Sequence, residues 1–235
     1  MPVSLDELYS SQESNNRASL SLYHPFALFE ISTMLISRSW RFRCTELASI
    51  VTILAMCGCT TQSIPQLAQP QGDTDDLRPG LSVRYYRAFF RHIDEFIAYQ
   101  TNHQGEVGPP IQQLNYRTGT GNVLTSDGVD GIAADIAGFI RFDKAGVYEF
   151  VVQSNDGVRV TIGGIQVIED PTVHSDRFST INRLRVMTPG WYPIRVLYFE
   201  RKTTSTLELY WRRPGEQDGP MVFVPADALA HSASS

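Results

Sequence analysis

The sequence predicts an all-β fold, an antiparallel β-sandwich behind a disordered or cleaved N-terminal segment. Three observations point there. Short runs from Leu81 onward alternate apolar and polar positions with a period of two. Gly, Pro, Asn and Asp clusters separate those runs, as turns do between short strands. The chain of 235 residues is 42% hydrophobic, which suits one ordinary core plus extra segments. The net charge of -5 argues against non-specific nucleic-acid binding.

The N-terminal third has a different character. Residues 1–33 are polar and unpatterned. From Met34, a second candidate start, a basic cluster of Arg38, Arg41 and Arg43 precedes the apolar run Leu47 to Met56 and then Cys57-Gly58-Cys59. A basic region, a short apolar run and small residues are the parts of an export signal. The run is shorter than the roughly 20 residues that span a bilayer. Residues 34–58 resemble a bacterial lipoprotein signal peptide, with Cys59 as the lipid-modified cysteine. The other reading is an amphipathic or buried helix of the folded domain. By the resemblance, cleavage removes Cys44 and Cys57, and the mature chain has no internal disulfide. By the same resemblance, Thr60 stands after the cysteine where an inner-membrane retention Asp would be, which implies the outer membrane, so the expected location is the cell envelope. Residues 59–79, rich in Gln, Pro, Thr and Asp, are expected to form a flexible tether.

The folded domain is expected over residues 80–231. Leu81, Val83 and Tyr85 alternate with Ser82, Arg84 and Tyr86 in a first strand. Ala88 to Tyr99 reads as a short helical or irregular segment, and His103 to Leu114 as loop. Tyr116 to Asp130 is Gly- and Asp-rich and has no clear element. From Gly138 to Glu169 strand-like runs are separated by Asp143-Lys144-Ala145-Gly146, Ser154-Asn155-Asp156-Gly157 and Gly163-Gly164, which predicts an antiparallel meander. Tyr148, Phe150 and Val152 share one face there, with Val147, Glu149 and Val151 on the other. A strand over about Thr180 to Met187 follows, then Trp191 to Phe199, apolar on both faces and so suited to the middle of a sheet; Pro193 stands against that because it cannot donate to a ladder. Leu207, Leu209 and Trp211 alternate in a further strand, Phe223-Val224-Pro225 is a last extended piece, and Ala226 to His231 is a terminal turn.

Residues 80–230 resemble the protective-antigen (PA-14) β-sandwich domain. The resemblance is carried by Gly80-Leu81 with Tyr85-Tyr86, Gly138-Phe139-Ile140, Ala145 to Phe150, Ser154 to Val160, Pro189 to Ile194, Tyr198-Phe199-Glu200 and Leu207 to Trp211, in that order. Ile136 departs from the pattern, where the family often has Trp. The resemblance implies a carbohydrate-binding domain in which some members hold sugar through calcium. The implied metal residues are Asp156, Asn155 and Glu200, with Asn155 replacing one carboxylate of the family's pair. A hard cation takes several oxygen ligands, which carboxylates, carbonyls and sugar hydroxyls can supply. Gly157, His174, Asp176 and Arg177 complete the expected ligand-binding set.

Plainer readings stand beside these. Asn155-Asp156-Gly157 is also a good turn on conformational grounds. Asp127 to Gly131 spaces two Asp like part of a calcium loop, but without the rest of that pattern it reads better as a solvated turn. No G-x-S-x-G, P-loop, H-E-x-x-H or C-x-x-C pattern occurs, so a catalyst is not expected. The partner is expected to be a glycan or, alternatively, an envelope protein in a structural assembly, with the membrane reached only through the lipid.

Overall fold

The computed structural model describes residues 63–70 and 76–233. Segments expected over residues 1–58, and Cys59 itself, lie outside the described residues. Two sheets, antiparallel except for one short parallel pair at the edge of the smaller one, pack face to face. The eight-stranded sheet contains β2 (Leu77–Pro79), β3 (Leu81–Arg87), β4 (Glu106–Ile111), β6 (Ile132–Phe142), β8 (Val158–Ile162), β9 (Ile165–Asp170), β12 (Gly190–Glu200) and β15 (Leu229–Ser232). The seven-stranded sheet contains β1 (Gln66–Leu67), β5 (Asn115–Thr118), β7 (Gly146–Asn155), β10 (Arg177–Phe178), β11 (Asn182–Val186), β13 (Ser205–Arg212) and β14 (Val222–Phe223). Among the described residues one α-helix, α1 (Ile93–Gln100), lies on the outer face of the larger sheet, where Ile93 and Phe96 pack with Tyr86, Leu197 and Phe199.

The core is built from the alternating positions. Tyr148, Phe150 and Val152 of β7 face Phe142, Tyr192, Ile194, Val196 and Tyr198 of the opposite sheet. Phe142 and Tyr148 have ring centroids 4.6 Å apart, and Trp211 lies 5.5 Å from Tyr148. Such tilted aromatic pairs add to the area they bury. β12 is central, flanked by β6 and β8, as its two apolar faces require. Pro193 is tolerated because β8 pairs only from Ile194 onward, and its carbonyl accepts the Gly163 N–H at 2.8 Å.

Four expectations are corrected. The run from Gly138 to Glu169 is not a meander, because β6 and β7 belong to different sheets and only β8 and β9 form a hairpin. Both β6 and β7 carry a bulky inner face, and the two faces are buried by opposing each other rather than by lying side by side. The stretch His103 to Leu114 is not all loop: β4 pairs with β3. The terminal turn is a 3₁₀ turn at Ala226–Ala228 followed by β15, which pairs with β2 and β6. The flexible tether at 59–79 is in part folded, since Leu67 is buried in the main core and β1 and β2 both pair within sheets. Polar composition alone hid a single apolar anchor. Leu67→Ala should therefore cost about 2–4 kcal/mol in chemical denaturation, whereas exposed Gln66→Ala should stay within about 0.5 kcal/mol. A neutral Leu67→Ala would mean that the segment does not belong to the fold.

Candidate functional site

The crossing from β7 to β8 passes from one sheet to the other at one end of the sandwich. Asn155-Asp156-Gly157 makes that crossing, with a cis peptide bond between Asn155 and Asp156. Gly157 is fixed by packing: a methyl there would stand 2.4 Å from the Phe199 ring and 2.9 Å from Pro171 O. Its carbonyl accepts the Phe199 N–H at 3.0 Å, and the Asp156 N–H returns to Phe199 O at 3.2 Å. The Tyr198 hydroxyl donates to Asn155 O.

Asp156 is buried, 4% exposed. Its Oδ1 accepts the His174 N–H at 3.0 Å and its Oδ2 the Arg201 N–H at 2.9 Å. One carboxylate thus brackets two loops, 171–176 and 201–204. Burial raises its pKa, against the pull of these two N–H groups. Asn155 Nδ2 donates to Thr204 Oγ1 at 2.8 Å, adding a second tie to the 201–204 loop. Thr203, at φ 78, donates its N–H to Asp130 Oδ1 at 2.9 Å.

Glu200 is the exception. It is fully buried, and neither carboxylate oxygen has a hydrogen-bond partner among the described residues. The Gly131 N–H is close enough to favour the ionised form, yet it is directed at Arg201 O at 3.1 Å. The Glu200 carboxyl is pushed up to about 7, first by burial and then by the charges of Asp130 and Asp156.

The structure therefore brings Asp156 within electrostatic reach of Glu200, with Asn155 preceding Asp156 and tied to Thr204. The other expected ligand residues point elsewhere. Asp176 Oδ2 accepts from Thr206 Oγ1 at 2.9 Å and from Arg117 at 3.2 Å, facing the outer side of the smaller sheet. Arg177 grips Asp170 with two nitrogens. The His174 Nδ1 faces Ser175 O at 2.8 Å, and its Nε2 stands 3.3 Å from Asp170 in a geometry that makes no hydrogen bond. Only the His174 main chain touches the site. Asp130 belongs to it, by contrast, although the sequence shows it only as part of a turn-like Asp127–Gly131 stretch. Asp127 goes instead to Arg87. No local signal marks which of the two aspartates meets a loop more than seventy positions away.

Among the described residues, no three His, Cys, Asp or Glu side chains already converge as a metal site. The donors that do gather are all oxygens, the type a hard cation takes. A cavity of about 480 Å³ lined by Ile64, Pro65, Ile165, Val167 and Leu184 lies far from them, against β1 and β11.

An acid whose pKa rises on folding binds its proton more tightly in the folded state. The stability that Glu200 allows is then fully present below about pH 4.5 and is lost as pH rises to about 7. Asp156 shifts in the same direction. In EDTA, Glu200→Gln should be more stable than the parent at pH 8, by up to roughly 3 kcal/mol, and the gain should vanish near pH 4.5. Urea melts at the two pH values check this, and an equal effect at both would sink it.

Residues 124–223 match the family model of the PA14 domain. No curated protein matches the sequence. Several solved structures share the fold. The PA14 domain of the MpAFP antifreeze protein has 18% identity and a TM-score of 0.55, covering 70% of this chain and 96% of that one. The PA14 sugar-binding domain from an RTX adhesin has 16% identity and a TM-score of 0.54, over 66% and 99% of the two chains. The epithelial adhesin 9 A domain from Candida glabrata, in complex with Galβ1-4GlcNAc, has 10% identity and a TM-score of 0.53, over 72% and 97%. At these identities the likeness is one of fold.

Proposed function

We propose, on the premise that this chain carries a PA14 domain, that the loop end of its sandwich binds carbohydrate with the help of calcium. Asp156, Asn155 and Glu200 are the protein's contribution to the cation. The observation that carries the reading is Glu200. A buried carboxylate without a donor, close to two further carboxylates, holds a charge that only a proton or a cation can relieve. Calcium takes six to eight oxygens, so backbone carbonyls and sugar hydroxyls would complete the set. The sugar class is supported by the names of neighbours with this fold: one is a sugar-binding domain of an adhesin, and another was solved with a disaccharide. The role is recognition rather than catalysis. The domain is held at the cell envelope, on the outer membrane, by lipid on Cys59.

One observation favours a second reading. Asp156 already accepts two main-chain N–H groups, which accounts for it as a bracket between loops without any ion. In that case the same end of the domain binds an envelope protein, and calcium is irrelevant.

The deciding experiment is a glycan array probed with the mature chain in calcium and in EDTA, beside Glu200→Gln. The expected outcome is binding in calcium alone, weakened at least tenfold in the variant. Protons compete with the cation for Glu200, so calcium affinity should fall as pH drops through about 7. Glycan binding untouched by EDTA would remove calcium from the reading. A folded chain that binds no glycan in either condition would favour the protein partner.

A further inference from the structure

Four loops meet at the candidate-site end, and main-chain contacts tie them in sequence. The Ala88 N–H donates to Gly131 O at 2.9 Å, and the Gly131 N–H to Arg201 O at 3.1 Å. His92 forms a bridge with Thr172 of the 171–176 loop, and the Ile93 N–H donates to Pro171 O at 2.9 Å. Segment 88–92 is therefore a wall of the same site, although nothing in its sequence marks it as one.

Phe89 stands in that wall. Its neighbour Phe90 is buried against Phe96, Tyr99 and Phe199. The backbone is thus held on both sides of Phe89, and its side chain is turned outward, 57% exposed. The ring lies on Gly131, where a methyl would stand 3.1 Å from two of its carbons. The ammonium of the exposed Lys202 stands 5.7 Å over the same ring. A π face is therefore covered by a flexible side chain rather than by the core. One exposed aromatic is ordinary on a protein surface, but this one is not isolated. Among the described residues six large apolar side chains are exposed, and Phe89, Val129 and Val173 stand on loops that meet here. Val129 adjoins Asp130, and Val173 precedes His174, whose N–H holds Asp156. Apolar surface around a few convergent polar groups is the make-up of a small-ligand site.

We propose that the Phe89 ring is the stacking platform of the saccharide site. The ligand is then a pyranose that lays an apolar C–H face on Phe89 while its hydroxyls turn toward the acidic residues. This rests on the carbohydrate reading above and deepens it. Gly131 joins the two halves: its N–H lies close to the Glu200 carboxyl, and the Phe89 ring packs on its α-carbon. A cation among oxygens accepts hydroxyls and carboxylates of many kinds. An aromatic face adds a demand for a ring with C–H groups on one side, and a pyranose carries both surfaces. Exposed cation–π contacts are weak, so the sugar can replace the Lys202 head over the ring at little cost.

The test is an array of pyranosides probed in calcium with the full chain and with Phe89→Ala and Phe89→Tyr, beside a titration of each with calcium chloride alone. Phe89→Ala should weaken binding to the best pyranoside by about fivefold or more, whereas Phe89→Tyr, which keeps the ring, should stay close to the parent. Calcium alone should bind the parent and both variants alike. Undiminished pyranoside binding in Phe89→Ala overturns the proposal. So does an equal loss in Phe89→Tyr, or a loss of calcium affinity in Phe89→Ala, since either would make Phe89 a support of the loops. The parent separates the failures. A folded parent that binds no pyranoside ends the carbohydrate reading and this one with it, and a parent whose binding survives Phe89→Ala ends this one alone.

Discussion

The structure depends on one packing constraint. The inner faces of β6 and β7 must bury each other, and they do so across the gap between the sheets. Phe142 at the end of β6 meets Tyr148 near the start of β7, and Tyr192 and Trp211 close around them. The chain must therefore cross between sheets at 143–145 and again at 156–157, once at each end. A crossing cannot complete a ladder, so its backbone groups need other partners. At the second crossing they find Phe199 and Tyr198 of β12. The candidate site exists because the core forces the chain to change sheets there.

Two buried carboxylates at that crossing answer the cost of burial differently. Asp156 is held by two N–H groups from two loops, and the loops are ordered by it in return. Glu200 ends the central strand and has no donor of its own. Hydrogen bonds to an ionised oxygen are strong, and their absence in a dry site is costly. The contrast separates the roles: Asp156 shapes the loop end whether or not an ion is present, whereas Glu200 has no structural employment that the described residues reveal.

Much of this was legible in the sequence. Alternation marked the inner and outer faces of β7, β12 and β13 correctly, because period-two burial is local information. Pairing was not local. Asp143-Lys144-Ala145-Gly146 looks like a hairpin turn, yet it joins two sheets, and nothing in those residues reports which strand lies beside which. Asn155, Asp156 and Glu200 were named by resemblance; Asp156 lies within electrostatic reach of Glu200, and the Asn155 side chain is tied to Thr204. His174, Asp176 and Arg177 were close in sequence to the right loop, but the His174 ring faces Ser175 O, Asp176 is taken by Thr206 and Arg117, and Arg177 is taken by Asp170. Asp130 was visible as half of a spaced pair, and only the fold tells it from Asp127. Leu67 was hidden by the polar residues around it.

The parallel strand at Gln66–Leu67 bears on how the two ends of the molecule are related. Without it, β11 would be an edge with Arg185 and Met187 N–H groups open to solvent, a surface that invites pairing with other chains. With it, the entering chain closes that edge and is bonded to the same ladder that carries β7. From β1 through β11 to β7 and on to β13, every step is backbone hydrogen bonding within one sheet. A connection of that kind does not bend as a polar linker would. The direction in which the chain enters at Pro65 is therefore fixed, through one continuous sheet, relative to the direction in which the 156–157 crossing points.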